Sequence, residues 1–261
     1  MAQANPFSLQ GKTALVAGAS RGIGQAVAEG LARAGARTIL AARSVKALER
    51  IAASLREEGC QAVPLEMDIA SRASRLAAAE AAGGVDILIN VAGTNVRKNF
   101  ADFTPEEYDR LLNTNLTGIF ELTQAVGRGM IERGRGGKII MIGSLTSILG
   151  VPYVTVYTVT KAALAGLTRS LAAEWGQYGI QVNCIAPGFI LTDLNREMWQ
   201  PQHMQDWLKA TQPNPRMGTP GDIAPLATFL SSTGADYITG QVIAVDGGLS
   251  SNCMWPFRPA Q

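Results

Sequence analysis

The stretch TALVAGASRGIG, Thr13–Gly24, runs from a short apolar segment through a glycine-rich turn into the opening of a helical pattern. TALVAG, Thr13–Gly18, is continuously apolar and too short for a surface helix, as expected of a strand covered on both faces. Gly18, Gly22 and Gly24 then allow a tight turn and a close approach of the chain to an anion at the N-terminus of the next helix. Free amides and the helix dipole favour negative charge there. Tight strand-to-helix packing also selects glycine, so the triplet gains weight from its place as the first strand-to-helix turn of a longer series.

That series continues with RTILAA (Arg37–Ala42), QAVPLEMD (Gln61–Asp68), VDILINVAG (Val85–Gly93), GKIIMIGS (Gly137–Ser144), IQVNCIAPG (Ile180–Gly188) and QVIAVDGG (Gln241–Gly248). Stretches of helical spacing separate these runs, which predicts a doubly wound α/β architecture: one parallel sheet of seven strands with helices on both faces. The 261 residues show no abrupt change of composition and read as a single domain over 1–261. The segment Leu191–Met217, with Pro201, Pro213 and Pro215, is too long for an ordinary connection. It lies beyond a strand C-terminus, where open α/β sheets bind ligands, and so reads as a substrate lid or a helical insertion at a subunit contact.

A formal net charge of +2 without a basic cluster argues against nucleic acid as a partner. The three cysteines, Cys60, Cys184 and Cys253, and the lone His203 lack metal-ligand spacing, so no metal site is expected. The opening MAQANPFSLQGK contains no apolar segment, and no run is long enough to span a bilayer, so the expectation is a soluble cytoplasmic protein.

Helix punctuation is clearest in TPEEYDRLLNTNLTGIFELTQAVGRGMIERG, read as one helix with Thr104 as cap, Pro105 in the first turn, Glu107 closing a capping box and Gly134 at the end. In the helix VYTVTKAALAGLTRSLAAEW, Val156–Trp175, Tyr157 and Lys161 are four apart and project from one face. An amphipathic pair at a helix edge is the plain explanation; a shared site is the other. At the end of the second run stand Ala42, Arg43 and Ser44, where an acidic residue would hydrogen-bond an adenosine ribose. Arg43, with Arg21 from the glycine turn, suits a ribose 2′-phosphate instead, which favours NADP over NAD as the dinucleotide, with NAD still possible.

GASRGIG, NVAG (Asn90–Gly93), NTNLTG (Asn113–Gly118), Ser144, YTVTK (Tyr157–Lys161), APGFILT (Ala186–Thr192) and VDGG (Val245–Gly248) together resemble the short-chain dehydrogenase/reductase family, in order over nearly the whole chain. Ala17 and Val91 depart from it, standing where the family has threonine and the second asparagine of an NNAG motif. The resemblance implies a Rossmann-type NAD(P)-binding fold and hydride transfer between a nicotinamide and a ketone or secondary alcohol. Tyr157 is the implied acid/base, and the neighbouring Lys161 ammonium favours its phenolate and holds the nicotinamide ribose. Ser144 is implied to hydrogen-bond the substrate oxygen, and Asn115 to hold a water linking Lys161 to solvent. Cofactor contacts are implied for Gly18, Ser20, Arg21, Gly22, Ile23, Gly24, Arg43 and Ser44 around the phosphates and ribose. Asp68 and Ile69 are implied to border the adenine, Asn90, Ala92 and Gly93 to contact the cofactor from the fourth strand, Tyr157 and Lys161 to contact it from the helix, and Pro187, Gly188, Ile190 and Thr192 to border the nicotinamide.

Within GTNVRKNF, Gly93–Phe100, the resemblance narrows to the branch of sugar-acid dehydrogenases such as gluconate 5-dehydrogenases, with Arg97 or Lys98 as partner of a substrate carboxylate or as an ordinary solvated loop charge. Thr146, Ile148, Val151, Trp199 and Met204 make an expected pocket apolar enough for bulky ketones. A 3-oxoacyl-[acyl-carrier-protein] reductase, with Arg128 and Arg133 meeting an acidic carrier, is the competing enzyme, and a non-catalytic dinucleotide sensor the competing class. The resemblance further implies a homotetramer or a dimer, for which Ala162, Ala163, Ala165 and Gly166 permit close helix approach, although the same residues equally suit packing against the sheet. The apolar tail residues Met254, Trp255 and Phe257 are expected to dock on a neighbouring subunit or to close a pocket.

Overall fold

A computed structural model describes residues 5–193 and 195–252. Its seven strands are β1 (Thr13–Ala17), β2 (Arg37–Ala42), β3 (Ala62–Glu66), β4 (Ile87–Asn90), β5 (Gly137–Ile142), β6 (Ile180–Pro187) and β7 (Val242–Val245). They form one sheet in the order β3-β2-β1-β4-β5-β6-β7, and every neighbouring pair is parallel. The tail residues Met254, Trp255 and Phe257 lie outside the described residues, so the docking expectation concerns a segment beyond this description.

The helices are α1 (Gly22–Arg33), α2 (Val45–Glu57), α3 (Arg72–Ala82), α4 (Pro105–Leu112), α5 (Gly118–Arg133), α6 (Thr155–Trp175), α7 (Gln202–Thr211) and α8 (Pro220–Ser231). Alternate residues of β1 feed two separate cores: Ala14 and Val16 pack with Val27 of α1, Leu48 of α2 and Ile223 of α8, while Leu15 and Ala17 pack with Ala78 of α3, Ile119 of α5 and Leu164 of α6. That double cover is why the strands read as unbroken apolar runs. Each large side chain buried this way contributes roughly 1.5–3 kcal/mol. Pro64 has no amide to donate and sits in β3, an edge strand that needs no ladder on its outer side.

The expected single helix over 104–134 begins and ends as read. The Thr104 and Glu107 capping box forms, Pro105 occupies the first turn, and Gly134 closes the helix in the left-handed region at φ 61°. Its middle differs from the expectation: Asn113–Thr117 is a π-helical turn between α4 and α5. The asparagines and threonines of NTNLT are weak helix formers whose side chains compete for backbone groups, and the wider turn swings Asn115 into complete burial. No helix of the described residues is long and apolar enough to cross a membrane.

The segment 191–217 leaves the end of β6 and is clamped at its base. Leu191 N donates to Gly218 O (2.8 Å), and Gly218 N donates to Phe189 O (3.0 Å). Arg216 then grips Asp222 with two hydrogen bonds (2.9 and 2.7 Å), and the Asp222 carboxylate caps the Thr219 amide (2.7 Å). The guanidinium first, and the Thr219 amide next, hold the Asp222 carboxyl well below the usual carboxylate range. A carboxylate so depressed stabilises the fold above its ordinary pKa and loses that contribution as pH falls through the depressed value. The melting-temperature gap between wild type and Asp222→Asn should therefore be constant from neutral pH down to about pH 4 and close below it. A gap independent of pH across that range, measured by thermal denaturation, would contradict the assignment.

Candidate active site

All seven strand C-termini point to one edge of the sheet, and the strand order reverses between β1 and β4. Ligands of open α/β sheets settle in that crevice. The glycine turn borders it. Gly18 has φ +100°, and a Cβ there would come 2.8 Å from the Ala92 amide nitrogen. A side chain on Gly24 would overlap the Gly18 carbonyl oxygen, so the helix starts directly against the strand end. Arg21, at the N-cap of α1, is extended and makes no side-chain cap, and the first turn carries no acidic residue. The leading amides of α1 are thus left for an anionic ligand, and this is the fit a dinucleotide pyrophosphate requires. Ser20 and Ile23 lie within the same turn, and Gly22 faces the Thr192 methyl group across it at 3.5 Å from a built Cβ.

Arg43 follows β2 and is exposed, and Ser44 caps α2 without using its hydroxyl. Neither Arg21 nor Arg43 is among the ion pairs of the described residues. On the third strand's side, Asp68 accepts from the Ala70 amide (3.0 Å), and Ile69 is buried beside Gly118. Asn90 is buried, and its amide donates to Thr123 Oγ1 of α5 (2.9 Å). Its side-chain amide therefore braces β4 against α5, while its Oδ1 is buried without a partner.

Beyond β4, two groups converge at Gly93: a Cβ built there lies 3.4 Å from Asn115 Oδ1 and 3.6 Å from Lys161 Nζ. Lys161 is 3% exposed, and its Nζ donates to Ile142 O at the end of β5 (2.7 Å). The same Nζ stands 5.6 Å from the centroid of the Tyr157 ring. The four-residue spacing thus brings both groups to one place. Asn115 accepts from the Thr94 amide (2.8 Å) and donates to Thr94 O (2.8 Å) and Thr160 Oγ1 (3.3 Å). Both donors of its side chain are committed and its Oδ1 takes one bond, while a π turn releases a main-chain carbonyl from the helical ladder.

Ser144 lies two residues past β5, and its Oγ accepts from the Thr146 amide (3.1 Å), which leaves its own O–H free to donate. Ser147 completes the loop by accepting from the Ser144 amide (3.2 Å) and donating to Lys161 O (2.8 Å). Ser147 and Thr160 escaped the sequence reading, although a hydroxyl three residues after Ser144 is a readable capping signal. Tyr153 escaped as well: it holds φ +66° four residues before Tyr157, is 61% exposed, and its carbonyl accepts from Lys98 N (3.0 Å). A bulky residue in that region costs on the order of 1–3 kcal/mol, and nothing in a sequence announces it.

Opposite this wall, Gly188 N donates to Val245 O (3.0 Å), joining the ends of β6 and β7 just past Pro187. Asn195 closes the following loop, accepting from Thr192 N (2.8 Å) and donating to Ile190 O (2.8 Å). Pro187, Gly188, Ile190 and Thr192 are thereby held as one rigid rim.

Two of the expected substrate or carrier contacts, Lys98 and Arg133, are engaged elsewhere. Lys98 is bound to Glu107 (2.7 Å) and lies over the Phe103 ring, so it secures the start of α4; Arg97 is exposed and makes no such pair among the described residues. Trp199 is 6% exposed and packs edge-on against Phe189 (5.0 Å), with Trp207 behind, and it also lines a cavity within segment 191–217 beside Leu191, Leu208 and Met217. Arg133 donates to Val85 O at the opposite edge of the sheet and so lies away from the crevice; Arg128, on the same helix, is exposed. Thr146 is buried with an unpartnered hydroxyl, Ile148 is exposed, and Val151 and Met204 are half-buried.

A family model described as enoyl-(acyl carrier protein) reductase matches residues 18–250. The chain is 38% identical to a gluconate 5-dehydrogenase of Gluconobacter oxydans (strain 621H), covering 96% of this chain and 99% of that one. It is 42% identical to a 3-oxoacyl-[acyl-carrier-protein] reductase of Pseudomonas aeruginosa, covering 93% and 99%. Among solved structures it resembles a gluconate 5-dehydrogenase from Burkholderia cenocepacia J2315 in complex with NADP and tartrate, with TM-score 0.91 and 39% identity over 95% of this chain and 98% of that one. With these matches along nearly its whole length, and the glycine turn, Ser144, Tyr157 and Lys161 set around one crevice, the chain belongs to the short-chain dehydrogenase/reductase family.

Proposed function

We propose that this protein transfers a hydride between NADP(H) and the ketone or secondary alcohol of a sugar acid. The observation that carries the reading is the convergence of Lys161 Nζ and Asn115 at Gly93, directly beside the Tyr157 ring. When bound, the nicotinamide supplies or accepts the hydride at the carbonyl carbon. Tyr157 gives its hydroxyl proton to the carbonyl oxygen in reduction and takes it back in oxidation. Ser144 donates its free O–H to the same oxygen as charge develops there. One Lys161 hydrogen goes to Ile142 O, and the remaining two serve the nicotinamide ribose and the proton path. Because the Asn115 amide is spent on Thr94 and Thr160, the water of that path is held through the π turn's main-chain carbonyl.

The cofactor preference rests on two exposed cations, Arg43 at the place where a carboxylate would read an unmodified ribose and Arg21 in the glycine turn. The NADP complex of the Burkholderia relative supports it. The sugar-acid reading rests on the gluconate 5-dehydrogenase relatives and on the exposed Arg97 after β4, a bidentate partner for a carboxylate. The protein is proposed to act as a homotetramer or dimer in the cytoplasm. Ala162, Ala163 and Gly166 of α6 are exposed or half-buried and available for close helix approach, whereas Ala165, expected with them, is buried and packs in the core.

A panel of sugar acids, polyols, 3-oxoacyl thioesters and aryl ketones with NADPH and NADH tests the reading: turnover should be highest with a keto sugar acid and NADPH. Preferential turnover of 3-oxoacyl thioesters would give the chain the activity of its Pseudomonas relative instead. No turnover of any ketone would leave a dinucleotide-binding sensor. Arg43→Asp should weaken NADPH by about one to two orders of magnitude, as expected for losing a charge-assisted pair and adding repulsion, with little effect on NADH. An unchanged NADPH preference would remove Arg43 from the 2′-phosphate site.

A further inference from the structure

Arg75 of α3 is 2% exposed, far from Tyr157 in sequence and outside every motif considered above. Its guanidinium binds Glu121 of α5 through Nε (3.0 Å) and Nη2 (2.7 Å), and its Nη1 donates to the main-chain carbonyl of Ile69 (2.9 Å). A buried ion pair is a poor way to stabilise a core, since an apolar pair of similar volume packs there without the desolvation cost. What the charged pair provides and an apolar pair does not is a directed hydrogen bond to one carbonyl. The same short loop is gripped twice more: Asn113 donates to Ala70 O (3.0 Å), and Gly118 lies so close that any side chain on it would overlap the Ile69 carbonyl.

The π turn makes this arrangement possible. The Gly118 amide bonds back to the Asn113 carbonyl, five residues earlier, so both residues face the 69–70 loop while Asn115 between them faces Thr94. One rod thus holds the adenosine border on one side and the Lys161 environment on the other.

Resting on the dinucleotide reading above, we infer that Arg75, held by Glu121, is a positioning residue that sets affinity for the adenosine half of the cofactor by fixing the Ile69 main chain. Arg75→Met removes the hydrogen bond without stranding a charge, because Glu121 is 24% exposed and keeps Arg72 at 3.4 Å. In this variant the Kd values of NADPH and of 2′,5′-ADP, which carries only the adenosine half, should both rise about tenfold, the equivalent of one hydrogen bond. At saturating NADPH, kcat should stay within about twofold of wild type, and Arg75→Lys should recover part of the lost affinity. Wild-type affinity for 2′,5′-ADP in folded Arg75→Met would overturn the inference. So would a loss of kcat in step with melting temperature, which marks a general structural role. If Arg75→Met fails to fold, Glu121→Gln decides: weaker 2′,5′-ADP binding at an unchanged melting temperature supports the inference, and unchanged binding overturns it. Failure of wild type to bind NADPH or 2′,5′-ADP would overturn the dinucleotide reading itself, an outcome distinct from a variant that binds like wild type.

Discussion

The parallel pairing of all seven strands is the constraint on which the rest depends. It sends every strand C-terminus to one edge, so the glycine turn, Arg43, Gly93, Ser144 and the rim from Pro187 to Thr192 share a crevice although they are spread over most of the chain. The same pairing requires helices on both faces, which gives the two cores divided by the sheet. Chemistry is then placed by short links from strand ends into helices, where a side chain's direction is fixed within one turn.

Lys161 shows how tightly that placement is made. It is nearly fully buried, bound to the end of β5 through Nζ and to Ser147 through its own carbonyl, while Ser147 also receives the Ser144 amide. Ser144 and Lys161 are therefore fastened to one loop. A buried ammonium carries a desolvation cost, and the Ile142 carbonyl and the Tyr157 ring, 5.6 Å away, offset part of it.

Much of this was legible in the sequence because it depends on local spacing. Continuous apolar runs disclosed buried strands, Thr104 with Glu107 disclosed a helix start, and the four-residue step from Tyr157 disclosed a shared face. What the sequence left hidden depends on long-range partners. Asn113–Thr117 reads as ordinary helix until Thr94, Ala70 and Thr160 are seen to claim its side chains. Lys98 and Arg133 read as free charges until Glu107 and the Val85 carbonyl take them. Arg75 carries no local signal at all, since its partners lie 6 and 46 residues away.

The central claim is that the Tyr157 hydroxyl carries the proton, with binding of the dinucleotide supplied by other residues. Its most direct test is Tyr157→Phe, which removes one oxygen and keeps the ring beside Lys161. NADPH should bind this variant with a Kd close to that of wild type, and turnover of the best substrate should fall by at least about 10²–10⁴-fold, the contribution of a positioned acid/base. Substantial turnover by a variant that still binds NADPH would contradict the account.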